Sequence, residues 1–192
     1  KIIDKIIDAL FQIQGGYALA ILTNKKLIGI RDPFGIRPLI IGKLNKSYVL
    51  ASETCALDII GAQFIREVEN GEIVVIAEAG IESIKPFPKI RSRPCIFEYI
   101  YFSRPDSLIN NISVYEYRKK LGHELAKETH VEADLIIPVP DSGVPAAIGY
   151  AEKMKKNVEL GIIRNHYVGR TFIEPTQQIR SLGVKLKHSI NK

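Results

Sequence analysis

Cysteine is scarce in this chain: Cys55 and Cys95 are its only two among 192 residues. So few exclude a disulfide-built scaffold, and their wide separation excludes a local metal knuckle. Cys55, between Thr54 and Ala56, reads as a small buried residue rather than a reactive one. Long apolar runs are missing as well. None nears the roughly 18–20 residues that cross a bilayer, so no membrane partner is expected. Lys1–Phe11 lacks the length and cleavage site of a signal peptide, which leaves the cytoplasm as the expected compartment. An initiator methionine is lacking too, the single Met being Met154, and the chain runs out in Lys-Leu-Lys-His-Ser-Ile-Asn-Lys with no strand or helix expected there. The expectation is an internal fragment of a longer protein.

What is present is an ordinary globular composition, 46% hydrophobic, which excludes disorder. The net charge of +6 is unevenly spread: residues 164–192 hold six Lys/Arg against one acid, Glu174, while the preceding residues are nearly balanced. An anionic partner follows, either a phosphate-bearing metabolite or nucleic acid. Nucleic acid is the weaker reading, because Tyr167 and Phe172 form no repeated stacking platform.

Through residue 85 the pattern is mainly antiparallel sheet with helix on its surface. Ile2, Ile3, Ile6, Ile7 and Leu10 give Lys1–Phe11 one apolar side. Tyr17–Thr23 and Leu27–Ile30 read as a hairpin, as do Leu39–Gly42 and Ser47–Ala51. A short helix capped by Ser52 or Thr54 is expected to end at Gly61. Asn70-Gly71, between Phe64–Val68 and Glu72–Ile76, is a strong hairpin signal. Arg31–Leu39, with two prolines, a glycine and three charges, is either a solvated connection or a buried turn in which Asp32 pairs with Arg31 or Arg37. Pro86–Pro94 reads as a linker. The aromatic run Cys95–Phe102 and the polar loop Ser103–Ser107 follow.

Beyond these, Ser113 and Glu116 make a capping box for a helix whose expected buried face is Val114, Tyr117, Leu121 and Leu125. Leu135–Val139, then Pro140-Asp141-Ser142-Gly143, then a helix with Pro145 in its first turn and Val144, Ala147, Ile148, Ala151 and Met154 at helical spacing, make a βαβ start. Backbone amides ahead of such a helix converge on a point that suits a phosphate. The plainer role of Asp141 and Ser142 is turn and helix cap. Ile163–Gln178 is a long polar segment carrying Arg164, His166, Tyr167, Arg170 and Thr171, and loops of that length are uncommon without a function. Strand alternating with helix favours a parallel sheet with a ligand beyond the strands' carboxyl ends.

Four segments together, Arg31–Leu39 (RDPFGIRPL), Ala51–Glu53 (ASE), Phe97–Ser107 (FEYIYFSRPDS) and Asn165–Ile173 with its flanks, resemble the amidophosphoribosyltransferase family. The resemblance implies a partial α+β N-terminal-nucleophile hydrolase sandwich followed by a partial α/β type I phosphoribosyltransferase domain. Residues 1–85 would be the later part of the glutaminase domain, 86–94 a linker, and 95–192 the start of the transferase domain. It implies release of ammonia from glutamine and its addition to C1 of phosphoribosyl pyrophosphate, giving 5-phosphoribosylamine, pyrophosphate and glutamate, the committed step of purine synthesis.

By the same resemblance the nucleophilic cysteine lies before Lys1, and the phosphoribosyl-pyrophosphate motif lies after Lys192. Cys55 is internal and does not match the nucleophile. The residues carried over for substrate are Asp141, Ser142 and Gly143 in the pyrophosphate loop and Arg164, Tyr167, Arg170 and Thr171 in a flexible lid from Arg164 to Lys187, whose closure excludes water. Ser142 would reach the magnesium assembly. His166 stands where the familiar Lys-Asn-Arg-Tyr version of the lid has a cation, and is largely neutral at pH 7. Cys95 is either one ligand of the [4Fe-4S] cluster of some members or a plain buried thiol. Purine nucleotides as feedback inhibitors and a homo-oligomer are also implied. A phosphoribosyltransferase without glutaminase function is the alternative within the enzymes. The isolated fragment is expected to carry out neither half-reaction.

Overall fold

The computed structural model describes residues 1–191 and divides into two compact units that meet between Val114 and Tyr115. In the first, helix α1 (Ile2–Leu10) turns Ile3, Ile6, Ile7 and Leu10 to one side. Strands β1 (Ala18–Leu22) and β2 (Leu27–Arg31) form the first expected hairpin, and β3 (Ile40–Leu44) and β4 (Ser47–Ala51) the second. Helix α2 (Thr54–Ile60) stops at Gly61, whose φ of +68° is a left-handed value that glycine takes without a Cβ penalty. Strands β5 (Gln63–Glu67), β6 (Ile73–Ala77) and β7 (Gly80–Ile84) complete the sheets.

The sheets are antiparallel, with orders β1-β2-β6-β7 and β4-β3-β5. Successive side chains point to opposite faces, and this assigns the layers. Ile28 and Ile30 of β2, with Ile73 and Val75 of β6, pack around Leu10 of α1. Val74 and Ile76, on the other face of β6, meet Leu39 and Ile41 between the sheets. Ile40 faces away from that interior, onto Leu57 of α2. The order is helix, sheet, sheet, helix, the sandwich expected for this half. Glycines set its spacing: a Cβ on Gly29 would stand 2.7 Å from Leu50 Cδ1, and one on Gly42 2.5 Å from Leu57 Cδ2.

The expected hairpin at Asn70-Gly71 is not there. β5 pairs with β3, whereas β6 pairs with β2 and β7, so the turn carries the chain from one sheet to the other. A two-residue type I′ hairpin needs left-handed backbone at both positions. Gly71 supplies it at +69°, but Asn70 is not among the positive-φ residues. That geometry occurs instead at Asn110 and Asn111, φ 49° and 59°, between the short strands β8 (Leu108–Ile109) and β9 (Ile112–Ser113).

Residues 86–114 pack within the first unit. The amides of Arg93 and Cys95 donate to the carbonyls of Phe34 and Ile36 at 2.8 and 3.3 Å. The aromatic run forms one π-helical turn, Glu98–Phe102, of which Glu98 and Tyr99 are buried.

Helix α3 (Val114–Glu128) begins just after Ser113, with Glu116 in its first turn. Of its expected buried face, Val114 is buried and Tyr117 half-buried, but Leu121 and Leu125 are 38% and 51% exposed, and Arg118, Gly122 and Ala126 are buried instead. The cause is close approach to α4 (Val144–Met154). A Cβ on Gly122 would lie 1.9 Å from the Ala146 carbonyl oxygen, and one on Gly149 1.9 Å from that of Lys119. Backbone against backbone turns the small residues inward and leaves the leucines out.

The strand before α4 is shorter than Leu135–Val139. β10 (Leu135–Ile136) pairs in parallel with β11 (Asn157–Val158), the βαβ arrangement read from the sequence. β12 (Ile162–Arg164) and β13 (His188–Ile190) are antiparallel, and helix α5 (Gln177–Lys187) lies between them in sequence. The tail that was expected to lack its own elements therefore has both. Thr176 Oγ1 caps α5 by accepting the Ile179 amide at 3.3 Å, satisfying one of the helix's free donors. Among the described residues, no helix is long and apolar enough to cross a membrane.

Candidate functional site

The turn from Val139 to Gly143 closes on itself. The Gly143 amide donates to the Val139 carbonyl at 3.0 Å and the Val144 amide to that of Asp141 at 3.3 Å. The Pro140–Asp141 peptide bond is cis. A Cβ on Gly143 would come within 2.7 Å of the Val139 oxygen, so the turn requires glycine. The expected amide cradle is corrected in one respect: the Gly143 amide is already engaged within the turn. Asp141 and Ser142 remain exposed at the amino end of α4, the positive end of its dipole.

The segment between β12 and β13 is held at its root. The Asn165 amide donates to the Lys187 carbonyl at 2.7 Å, its Nδ2 donates to that of Leu186 at 3.3 Å, and its Oδ1 accepts the Tyr167 amide at 3.1 Å. Arg180 ties the middle, donating to the Glu174 carbonyl at 2.8 Å and to Gln177 Oε1 at 3.0 Å. Tyr167 is fully exposed and Arg170 is exposed. Thr171 is 6% exposed, its methyl facing Gly183. These three line a cleft of about 360 Å³ with Ile179, Leu182 and Leu186.

The turn ahead of α4 and the start of the segment between β12 and β13 meet through one ion pair, Arg164 Nη1 to the Asp141 carboxylate. Arg164 Nε is buried and has no hydrogen-bond partner. The structure thus brings Asp141 and Arg164 together, with Ser142 and Gly143 next to Asp141 in the chain, and places Tyr167, Arg170 and Thr171 in a separate cleft. A guanidinium reaching a turn at a helix amino end is chemistry for an oxyanion. Asn165 and Arg180 were not legible as functional; an asparagine whose side chain closes a turn two residues on is the signal available for the first.

In the first unit, Arg31–Leu39 is the buried turn, with different partners from those expected. The Asp32 carboxylate accepts the amides of Phe34, Ile36 and Arg37 at 3.0, 3.1 and 3.1 Å, with no arginine side chain among these donors. Arg31 donates to the Arg37 and Val68 carbonyls at 2.9 and 2.7 Å and to Glu67 at 3.3 Å. Arg37 Nη1 stands 2.6 Å from Glu98 Oε1, a charge contact rather than an aligned hydrogen bond. Glu53, rather than Ser52 or Thr54, occupies the α2 cap position and makes no side-chain cap bond. Its Oε2 instead accepts the Arg104 amide at 2.7 Å and the Ser107 hydroxyl at 2.8 Å, and Thr54 Oγ1 accepts the Leu108 amide at 2.8 Å.

For metals, among the described residues no group of three or more His, Cys, Asp or Glu converges. Magnesium usually binds through one or two carboxylates and substrate phosphates, and here Asp141 is paired with Arg164. Ser142 offers one hydroxyl, so these residues by themselves do not hold magnesium, and a phosphorylated ligand would have to supply the remaining oxygens. A [4Fe-4S] cluster takes four cysteines, whereas this chain has two, Cys55 buried and Cys95 half-buried. Its own residues do not complete such a site.

Comparison with known proteins gives first a class. Residues 2–58, within the four-layered sandwich, match the family described as glutamine amidotransferase domain. More particularly, 98% of the chain is similar, at 55% identity, to an amidophosphoribosyltransferase of Rhizobium etli, and 97% at 50% identity to that of Bacillus subtilis. The chain spans 39% of the length of each of these relatives. The solved structure of glutamine phosphoribosylpyrophosphate amidotransferase from B. subtilis, complexed with ADP and GMP, superposes with a TM-score of 0.90 at 49% identity, covering 99% of this chain and 42% of that one. From one end to the other, the chain is similar to amidophosphoribosyltransferases.

Proposed function

We propose that this chain is part of a glutamine-dependent amidophosphoribosyltransferase. Residues 1–85 would be the later part of its glutaminase domain, and residues from 95 the start of its type I phosphoribosyltransferase domain. Water and glutamine give glutamate and ammonia at a nucleophile outside this chain. Ammonia then forms a bond to C1 of phosphoribosyl pyrophosphate, the C1–O bond breaks, pyrophosphate leaves with the electron pair, and the new ammonium loses a proton to give 5-phosphoribosylamine.

The observation that carries the reading is the meeting of the lid root with the helix-capping turn through Arg164 and Asp141, in a chain that aligns with this enzyme throughout. In the reaction Arg164 and Ser142 would hold pyrophosphate oxygens, where magnesium, if bound, would help neutralise the leaving charge. Tyr167, Arg170 and Thr171 join when the lid closes. Rate comes from positioning and charge neutralisation of the leaving group, and no general base is required from these residues. Purine nucleotides, phosphorylated as the substrate is, would compete for the same site as feedback inhibitors. The parent enzyme is read as a cytoplasmic homo-oligomer. The 192-residue chain by itself is expected to show neither half-reaction.

A graft tests this. Residues 1–191 replace the aligned segment of the B. subtilis relative, and glutamine-dependent pyrophosphate release is measured. Turnover lost on Arg164→Ala supports the reading; a folded graft that releases no pyrophosphate contradicts it.

A further inference from the structure

We infer that Asp141 is the internal occupant of the anion site: its carboxylate holds the place on Arg164 that a pyrophosphate oxygen takes, so that ligand entry is an exchange of one anion for another. The inference rests on the proposed function and concerns the same site. Its consequence is opposite in sign to the simplest expectation for Asp141, that a residue of the binding turn helps to hold the ligand.

The geometry is that of a displaceable partner. Arg164 is fixed by its backbone, within β12 and opposite His188 of β13, and the next residue is pinned by the Lys187 and Leu186 carbonyls. Its guanidinium, in contrast, reaches out to an exposed carboxylate: the Asp141 side chain is 55% accessible and that of Arg164 30%. A solvent-facing pair of this kind is weak and readily exchanged.

The pair also leaves the guanidinium incompletely satisfied. Nη1 donates to Asp141, while Nε is buried and has no acceptor. A guanidinium presents five donors in a planar fork, and a group with several oxygens along its edge satisfies it better than a single carboxylate contact. Pyrophosphate has those oxygens. Once it is bound, Asp141 becomes a negative charge beside a more negative ligand, and that repulsion favours ligand departure.

One arrangement therefore serves two states. Without ligand, the positive charge at the lid root is neutralised from within and lid and turn are tied together. With ligand, the tie is replaced. Asp141 weakens binding, and in return Arg164 is already aimed at the anion when it arrives.

The test is titration of the 192-residue chain with inorganic pyrophosphate and magnesium, following the Arg164 Nε–H resonance by NMR. Asp141→Asn keeps size and turn-forming character and removes the charge. It is expected to bind pyrophosphate up to about fivefold more tightly, the ~1 kcal/mol of an exposed ion pair. The gain is expected to vanish in the Arg164→Ala background. In the unliganded chain, Asp141→Asn alone is expected to move the Nε–H resonance, a readout independent of ligand affinity. Asp141→Ser is the second variant should the first fold poorly, with a melting curve as the check on each. Weaker or equal binding by both variants, with wild type binding, overturns the inference and leaves the proposed function standing. No pyrophosphate binding by any variant overturns the inference and leaves the proposed function, which the graft tests, standing.

Discussion

The Ser107 hydroxyl donates to Glu53 Oε2 at 2.8 Å, and the same oxygen accepts the Arg104 amide at 2.7 Å. Two segments, Ala51–Glu53 and Phe97–Ser107, joined here by residues 51 and 54 positions apart, are thereby one feature. Arg104 and Asp106 form an exposed fork on that loop, with contacts of 3.0 and 2.8 Å.

Glu53→Ala is expected to free the loop while leaving the sandwich folded. The Arg104 amide loses a charged acceptor, and hydrogen exchange there should accelerate about tenfold or more, a hydrogen bond to a carboxylate contributing roughly 1.5–3 kcal/mol. Unchanged exchange at Arg104 with the rest of the map intact counts against the role given to Glu53.

Asp32 stands differently, fully buried and accepting three backbone amides. Truncation to alanine strands those donors. Each costs about 1–3 kcal/mol, so Asp32→Ala should lower stability by at least ~3 kcal/mol in urea unfolding. Asp32→Asn, which keeps one carbonyl oxygen, should cost less.

Glu72 carries a pH dependence. Burial pushes its carboxyl up, but hydrogen bonds from Arg66, Ser83 and the Glu69 amide, with the Arg66 charge, outweigh burial and hold it below the ordinary 4.5. A depressed folded-state value means stability that is present above the unfolded value and lost as pH falls through the folded one. Glu72→Gln should therefore cost about 2 kcal/mol at pH 7, and the gap between variant and wild type should narrow as pH falls below 4.5. Unfolding curves at several pH values check both the size and the narrowing.

Between α3 and α4 the prediction is steric. Gly122→Ala puts a methyl 1.9 Å from the Ala146 oxygen, and the helices must part. A loss of about 1–3 kcal/mol is expected from overpacking, as judged by thermal unfolding. A neutral result contradicts the contact.

Much of the first unit was legible because period-2 and helical patterns there are regular: α1, the two early hairpins and Gly61 all lie where the residues put them. Asn70-Gly71 misled because a dipeptide shows what a turn tolerates, while the partner of each flanking strand is a tertiary matter. The buried face of α3 was misread for the same reason. Leucine spacing marked one face, and two glycines that matter only when a second helix approaches selected another. In the site, Asp141 and Arg164 could each be named from local pattern. Their mutual ion pair and the unpartnered Nε depend on chain folding that no spacing encodes.

If Arg164–Lys187 closes as a lid on phosphoribosyl pyrophosphate, the ligand should shield it from protease. Trypsin cleavage after Arg170 in the graft, timed with and without magnesium phosphoribosyl pyrophosphate, reads that closure. Cleavage several-fold slower with the ligand, no slowing with ribose 5-phosphate, and loss of the protection in Arg164→Ala are expected. Cleavage at the same rate with and without ligand, in a graft that is folded, rules the lid out.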